Sequence, residues 1–318
     1  MAITRFIKDV ARGAAGARSL SRASAQELMG AVLDGELSGP ELGAFVIAMR
    51  MKGETLDELC GFLDAVHTRC LLLHSRRPVV VIPSYNGARR LPNLTPLLAL
   101  ALAQAGLNVL VHGPLHDPVR VTSAEILNNL GMSAARNETE VHGAWARQQP
   151  AFVATATLCP TLQALLDVRQ VVGLRNAGHT VAKMLHPFGA QRALRLVNFT
   201  RPEFGALMTA WAQRESADAL VLRGTEGEPV ADPRRRPRMD AYAHGTACAA
   251  ASCLAQEGVV SDMPLLPNER GAASTALYVQ SLLAGEKPMP APLAQQIRSV
   301  LALMADIEHP APLASLPA

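Results

Sequence analysis

Apolar positions recur at helical spacing through the first 75 residues. Leu28, Val32 and Leu33 form one stripe, Leu42, Phe45, Val46 and Met49 a second, and Leu59, Phe62, Leu63 and Val66 a third. Each segment therefore has one face that must be buried. Ser24 with Glu27, Ser38 with Pro40 and Glu41, and Thr55 with Glu58 precede these stripes at capping-box spacing, in which a hydroxyl accepts from the third amide and the acid returns to the cap. Gly35 ends the first helix. After Arg76-Arg77-Pro78 the period changes. Val79 to Ile82 is a continuous β-branched run, the pattern of a strand covered on both faces. Residues 83–87 read as a loop, 94–105 as an apolar helix, and Val109 to His112 as a second strand after Gly106. Strand, loop, helix and strand in that order predict a right-handed β-α-β unit and a parallel sheet. Further strands are predicted at Phe152 to Thr155, Arg195 to Val197 and Ala219 to Leu222. Pro229 to Pro237 reads as an exposed basic loop, and the Pro-rich end from Pro310 as a fraying tail.

The predicted class is α/β, a small N-terminal helical domain plus a large α/β domain with a mainly parallel central sheet. The helical domain spans 1–76, joined in space by about 165–186, and the α/β domain spans 77–318. Apolar faces left over on the helices predict docking on the larger domain or on a second copy.

With 318 residues, 49% hydrophobic and 18% charged, the chain can bury a large core, which excludes a disordered or collagen-like protein. The longest apolar run, Leu94 to Leu107, is interrupted by Pro96 and Gln104, and no signal-length stretch opens the chain, so a cytoplasmic protein without membrane contact is expected. The five cysteines form no C-x-x-C pair and read as reduced thiols. His112 and His116 are separated by Gly113-Pro114, which breaks the helix that would align them as metal ligands. Neither metal nor cofactor is expected.

Charge changes the picture more. Residues 1–22 carry a net +4, 69–120 a net +5 and 169–214 a net +6, although the whole chain is only +3. If these segments meet in space, one side of the molecule attracts polyanions. Lysine appears only at positions 8, 52, 183 and 287, and the remaining basic residues are arginine, whose planar fork suits phosphate. The candidate phosphate contacts are Arg5, Lys8 and Arg12, spaced along one helix face; Arg89, Arg90 and Arg120; Arg169, Arg175, Lys183 and Arg201; and Arg223, Arg234, Arg235, Arg236 and Arg238. Tyr85, beside Arg89-Arg90, is a candidate for stacking on a base.

Val111-His112-Gly113, the stretch Val119 to Leu127 with Leu130-Gly131, Arg169 with Gly173-Leu174-Arg175, and His186-Pro187 together resemble the anthranilate phosphoribosyltransferases, a fold shared with pyrimidine nucleoside phosphorylases. The resemblance covers residues 20 to 280. It implies a pyrophosphate loop of the form glycine-threonine-glycine-glycine-aspartate, where this chain has Pro83-Ser84-Tyr85-Asn86-Gly87. Pro83 has no N–H to give, and Tyr85 and Asn86 add bulk where bare backbone is wanted. The family's asparagine-x-serine-threonine is Asn93-Leu94-Thr95-Pro96 here, the lysine before histidine-glycine is Val111, and the magnesium-binding acid pair falls at Pro229-Val230. Together with Arg223-Gly224-Thr225-Glu226-Gly227-Glu228-Pro229, these departures resemble the YbiB-type relatives of that family. That resemblance implies a homodimer paired through its N-terminal helices that binds single- or double-stranded DNA or RNA without strong sequence preference, and no enzyme activity. The alternative reading is a phosphoribosyltransferase or nucleoside phosphorylase with a rebuilt site, in which Arg169 and His112 face substrate and Glu226 or Glu228 holds metal. An interaction protein with an acidic partner is a third.

Overall fold

A computed structural model describes residues 2–13 and 16–309. Helices α1 (Ala2–Val10), α2 (Arg22–Leu33), α3 (Gly39–Lys52) and α4 (Leu56–His67) form the N-terminal unit. The capping boxes of Ser38 with Glu41 and of Thr55 with Glu58 are both made. At α2 the cap is Ser21, three residues before the expected Ser24, whose own amide the Ser21 hydroxyl accepts from. Glu27 is then free to pair with Arg5.

The larger part runs β1 (Val79–Pro83), α5 (Thr95–Gln104), β2 (Asn108–Gly113), α6 (Ser123–Asn129), α7 (Glu138–Ala146), β3 (Ala151–Ala154) and α8 (Thr155–Leu158). It continues through α9 (Pro160–Val172), α10 (Ala177–Ala182), β4 (Ala193–Phe199), α11 (Pro202–Arg214), β5 (Ala219–Arg223), β6 (Met239–Ala243), β7 (Thr246–Ala247), α12 (Ala272–Leu283) and α13 (Ala291–Glu308). The sheet order is β3-β2-β1-β4-β5-β6-β7, parallel from β3 through β5 and antiparallel at β6 and β7. The chain is thus a small helical domain attached to a large α/β domain.

The unbroken apolar run of β1 follows from burial on both faces. Val79 and Val81 enter one core with Phe45, Phe62 and Trp211, while Val80 and Ile82 enter the other with Leu97, Val300 and Leu303. On the first face α9 packs on α2, and α10 packs on α3 and α4. Glu58, fully buried, holds the helical unit to its linker by accepting from Leu20 N at 2.9 Å, Thr55 N at 2.8 Å and Lys52 Nζ at 2.6 Å. Arg22 joins the two parts, reaching Asp64 at 2.6 Å and Glu215 at 2.8 Å, and Arg214 adds Asp57 at 2.5 Å.

Three local expectations are corrected. The first helix ends at Val10, so Arg12 lies beyond it and pairs with Asp9. Thr155 starts α8 rather than ending a strand. The segment after Pro229 is only partly exposed: Pro229, Val230 and Ala231 are buried, and the Gln296 side chain satisfies Ala231 N and Pro229 O. The tail from Pro310 lies outside the described residues.

Candidate functional site

A parallel sheet delivers all its following loops to one edge, the carboxyl ends of the strands, where ligands of open α/β sheets bind. Here that edge receives residues 84–94 after β1, 114–122 after β2, 200–201 after β4 and 224–238 after β5. Parallel topology therefore gathers Arg89, Arg90, Arg120, Arg201, Arg223, Arg234, Arg235, Arg236 and Arg238 along one side. Arg169 comes from the end of α9, Arg175 from the turn before α10 and Lys183 from its C-cap.

The charges differ in what they already hold. Arg120 faces Glu226 at 3.8 Å, Arg169 faces Asp117 at 3.4 Å, Arg201 faces Glu203 at 3.9 Å, Arg234 pairs with Asp232 at 2.9 Å and Arg238 with Asp240 at 2.8 Å. The side chains of Arg89, Arg90, Arg223 and Arg235 are exposed and carry no carboxylate partner among the described residues. Arg236 has a buried Nε with no partner. Arg5, Lys8 and Arg12 are not brought to this edge, because α1 packs on α2 and α3, and Arg5 lies over the Phe6 ring. Other basic residues of the charged segments are structural: Arg69 pairs with Asp34, Arg77 with Glu308, Arg192 with Asp218, and Arg195 is buried over Trp211.

Arg175 and Lys183 line a cleft of about 110 Å³ between α3 and β4, with His179, Asn198 and Thr200. Neither cation has a carboxylate partner among the described residues. Burial lowers Lys183 to about 8, with repulsion from Arg175 second, and lowers Arg175 to about 10, with repulsion from Arg169 and Arg120 second. His179 is held neutral, near 3, by burial and then by Arg175. The buried Oδ1 of Asn198 has no donor. Unpaired cations in a partly dry cleft favour an anionic occupant.

The loop after β1 does not behave as its residue types predict. Its amides converge, but on a carboxylate of the chain itself. Glu228, 1% exposed, accepts from Asn86 N at 2.6 Å, Gly87 N at 2.8 Å and Thr95 Oγ1 at 3.1 Å, and also from Ser84 Oγ. Burial raises its pKa, and these donors oppose the rise. Glu226 accepts from Arg90 N and Leu91 N at 2.8 Å and from Arg89 N at 3.2 Å. Successive amides of this kind form anion-binding concavities. Sequence reading considers both acids only as metal ligands. The signal available was the spacing Gly224-x-Glu-Gly-Glu, since Gly227 has φ 89° and a Cβ there would run into the Asn86 amide. The residues present do not fit a magnesium site, because both carboxylates face N–H and O–H donors. Among the described residues no group of three His, Cys, Asp or Glu is placed to hold a metal.

Tyr85 is a second correction. It is 6% exposed, and its hydroxyl donates to His112 Nδ1 at 2.6 Å while His112 Nε2 donates to Leu185 O at 3.2 Å. No face remains for a base. Burial lowers His112 to about 4, so the ring is neutral and can accept from the phenol.

A helical unit on a large sheet domain with its loops collected at one edge defines the architecture of the anthranilate phosphoribosyltransferases. Residues 4–70 match the helical bundle domain of the glycosyl transferase family. The structure aligns with anthranilate phosphoribosyltransferase from Thermus thermophilus at a TM-score of 0.70 and 22% identity, over 96% of this chain and 94% of that one. It aligns with the Saccharomyces cerevisiae enzyme in complex with PRPP and Mg at 0.69 and 12%, over 96% and 88%. Anthranilate phosphoribosyltransferase of Anaeromyxobacter dehalogenans (strain 2CP-C) is 29% identical over 67% of this chain and 63% of its own. The uncharacterized protein YbiB of Escherichia coli (strain K12) is 35% identical over 93% of this chain and 92% of its own, and the chain belongs to that family. The expectation that this is not an enzyme is corrected by these comparisons: the wider family it is homologous to is one of phosphoribosyltransferases, which are enzymes. No helix among the described residues is long and apolar enough to cross a membrane.

Proposed function

We propose that the protein binds nucleic acid through its phosphates, with little sequence preference, along the carboxyl edge of its sheet. The observation that carries this reading is the gathering of Arg89, Arg90, Arg223 and Arg235 on adjacent loops of one edge, exposed and without carboxylate partners among the described residues. Such side chains release condensed counterions when they neutralise phosphates, which supplies sequence-independent affinity. Few aromatic side chains are offered to bases, in keeping with backbone rather than base contacts. The active form is a cytoplasmic homodimer paired through the N-terminal helices. What supports pairing is an apolar groove between α1 and α3 lined by Val10, Ala44, Ile47, Ala48 and Met51, with Met51 76% exposed. Binding to single- and double-stranded oligomers of several sequences over a salt series tests the proposal, and affinity that ignores salt refutes it.

A second reading is favoured by the unpaired Arg175 and Lys183 in their cleft together with the family relationship: a transferase acting on an anionic phosphoribosyl substrate. Release of pyrophosphate from phosphoribosyl pyrophosphate in the presence of aromatic acids or bases tests it, and absence of binding to that compound closes it. The two readings use neighbouring surfaces and are separately testable.

A further inference from the structure

We propose that Cys70 and Cys159 form a redox-active dithiol, oxidised to a disulfide by a small hydroperoxide that enters the cavity beside Cys70. The site lies where the linker after α4 meets the start of α9, and it is independent of the nucleic-acid reading.

Three observations support it. First, main-chain contacts hold the two residues against each other. Leu71 N donates to Leu158 O at 2.7 Å, and Cys159 Sγ lies 3.7 Å from Arg69 O. Cys70 stands between these two contacts, and its side chain is hydrogen-bonded to that of Cys159. Both are free thiols in this structure.

Second, the pair carries an activated sulfur. The Cys159 thiol is lowered to about 6, first by the bond from Cys70 and, against burial, by the Leu162 amide, the Thr161 hydroxyl and the Arg69 charge. Cys159 is the N-cap of α9, and a thiolate is favoured by the amides exposed at a helix start. At neutral pH the pair therefore holds one proton between two sulfurs. The thiolate is the nucleophile toward oxidants.

Third, an oxidant has a place to sit. A cavity of about 240 Å³ is lined by His67, Cys70, Leu72, His186 and Gly189, and the exposed Leu72 and Gly189 place it at the surface. The two imidazoles meet edge to face at 5.1 Å, and His67 Nε2 and His186 Nδ1 are buried without a hydrogen-bond partner. Burial, then the charge of Arg195, lowers His67 to about 4 and His186 well below its ordinary value, so both rings are neutral. A neutral imidazole nitrogen donates or accepts according to tautomer. That suits a hydroperoxide, which has an O–H to give and lone pairs to receive.

The reaction balances within the pair. The shared proton passes to Cys159, and the Cys70 thiolate displaces hydroxide from hydrogen peroxide to become a sulfenic acid. That hydroxide takes the Cys159 proton and leaves as water. The Cys159 thiolate then attacks the Cys70 sulfur, forming the S–S bond and releasing a second hydroxide. One thiol, one thiolate and one peroxide thus give a disulfide, a water and a hydroxide; both sulfurs are oxidised and the peroxide is reduced. The bond ties the linker of the helical unit to α9 of the sheet domain.

The test treats the reduced full chain with stoichiometric hydrogen peroxide at neutral pH, alkylates the remaining thiols, and reads intact mass and a peptide map. The expected result is a Cys70–Cys159 cross-linked peptide in most of the protein, with Cys60, Cys248 and Cys253 alkylated. The link is reversed by dithiothreitol and absent from C70S and C159S. H67L/H186L, which keeps the bulk of the rings without their nitrogens, forms it at least tenfold more slowly. A chain that keeps all five thiols, or links any other pair, overturns the proposal. An unchanged rate in a folded H67L/H186L protein overturns the role given to the cavity, and the map of the unaltered chain decides the dithiol whether or not that variant folds.

Discussion

Replacing Arg89 and Arg90 together by alanine isolates the electrostatic part of nucleic-acid binding. Both side chains are exposed on the loop after β1, and their main-chain amides, not their guanidinium groups, hold Glu226, so the substitution leaves that acid anchored. Six arginines of the sheet edge and cleft, Arg89, Arg90, Arg175, Arg223, Arg235 and Arg236, have no carboxylate partner among the described residues, enough to engage about six phosphates. At about 0.7 counterions per phosphate on a single strand, log K falls by about 4 per decade of salt, roughly a 300-fold loss between 50 and 200 mM. R89A/R90A removes two contacts, so the slope falls to about 3 and the loss over the same range shrinks to roughly 50-fold. Fluorescence anisotropy on several oligomers across a salt series measures both slopes. The weakening is uniform across sequences, because phosphate contacts carry no base information. R298A, at an exposed position of α13, leaves the slope unchanged. An unaltered slope in a folded R89A/R90A protein, or a loss confined to one sequence, refutes the reasoning.

Other outcomes follow from the buried polar groups. E58A strands Lys52 and the amide of Leu20 in the interior of the helical unit and destabilises the fold by about 3–5 kcal/mol, read by denaturant unfolding. Y85F leaves His112 Nδ1 without its donor and costs about 1–3 kcal/mol, while oligonucleotide affinity stays unchanged because the ring is not offered to bases. His112 takes a proton more readily in the unfolded chain, at its ordinary 6.5, than in the fold, near 4. Its contribution is therefore complete above pH 6.5 and lost as pH falls toward 4, on the order of 3 kcal/mol, and H112N flattens that part of a pH-stability profile. Lys183 loses its proton near 8 in the fold, so anion affinity in the cleft drops as pH rises through 8, and K183R removes the drop.

Much of the architecture is legible in the chain because it rests on local pattern. The β-branched run of β1 and the caps of α3 and α4 are decided within a few residues. Order and direction of the strands then determine which loops share an edge, so the meeting of Arg89 with Arg223 follows from topology alone. β6 escapes sequence reading because Met239–Ala243 is short, carries Asp240, and owes its pairing to β5. The cap of α2 is misplaced because two serines compete and tertiary pairing claims Glu27. Segment charge overstates the basic face because Arg22, Arg69, Arg192 and Arg214 find acids distant in sequence. The placing of Glu228 beneath the amides of residues 86 and 87 depends on contact across more than 140 positions, which no local period encodes.

Arg22 grips Asp64 on one part of the molecule and Glu215 on the other, and Arg214 adds a second clasp to Asp57 beside it. A hinge motion that widens the cleft at Lys183 must pivot about this double fastening or break it. Small anions can then enter a molecule whose halves stay put, whereas a bulky guest has to lie along the outside rim.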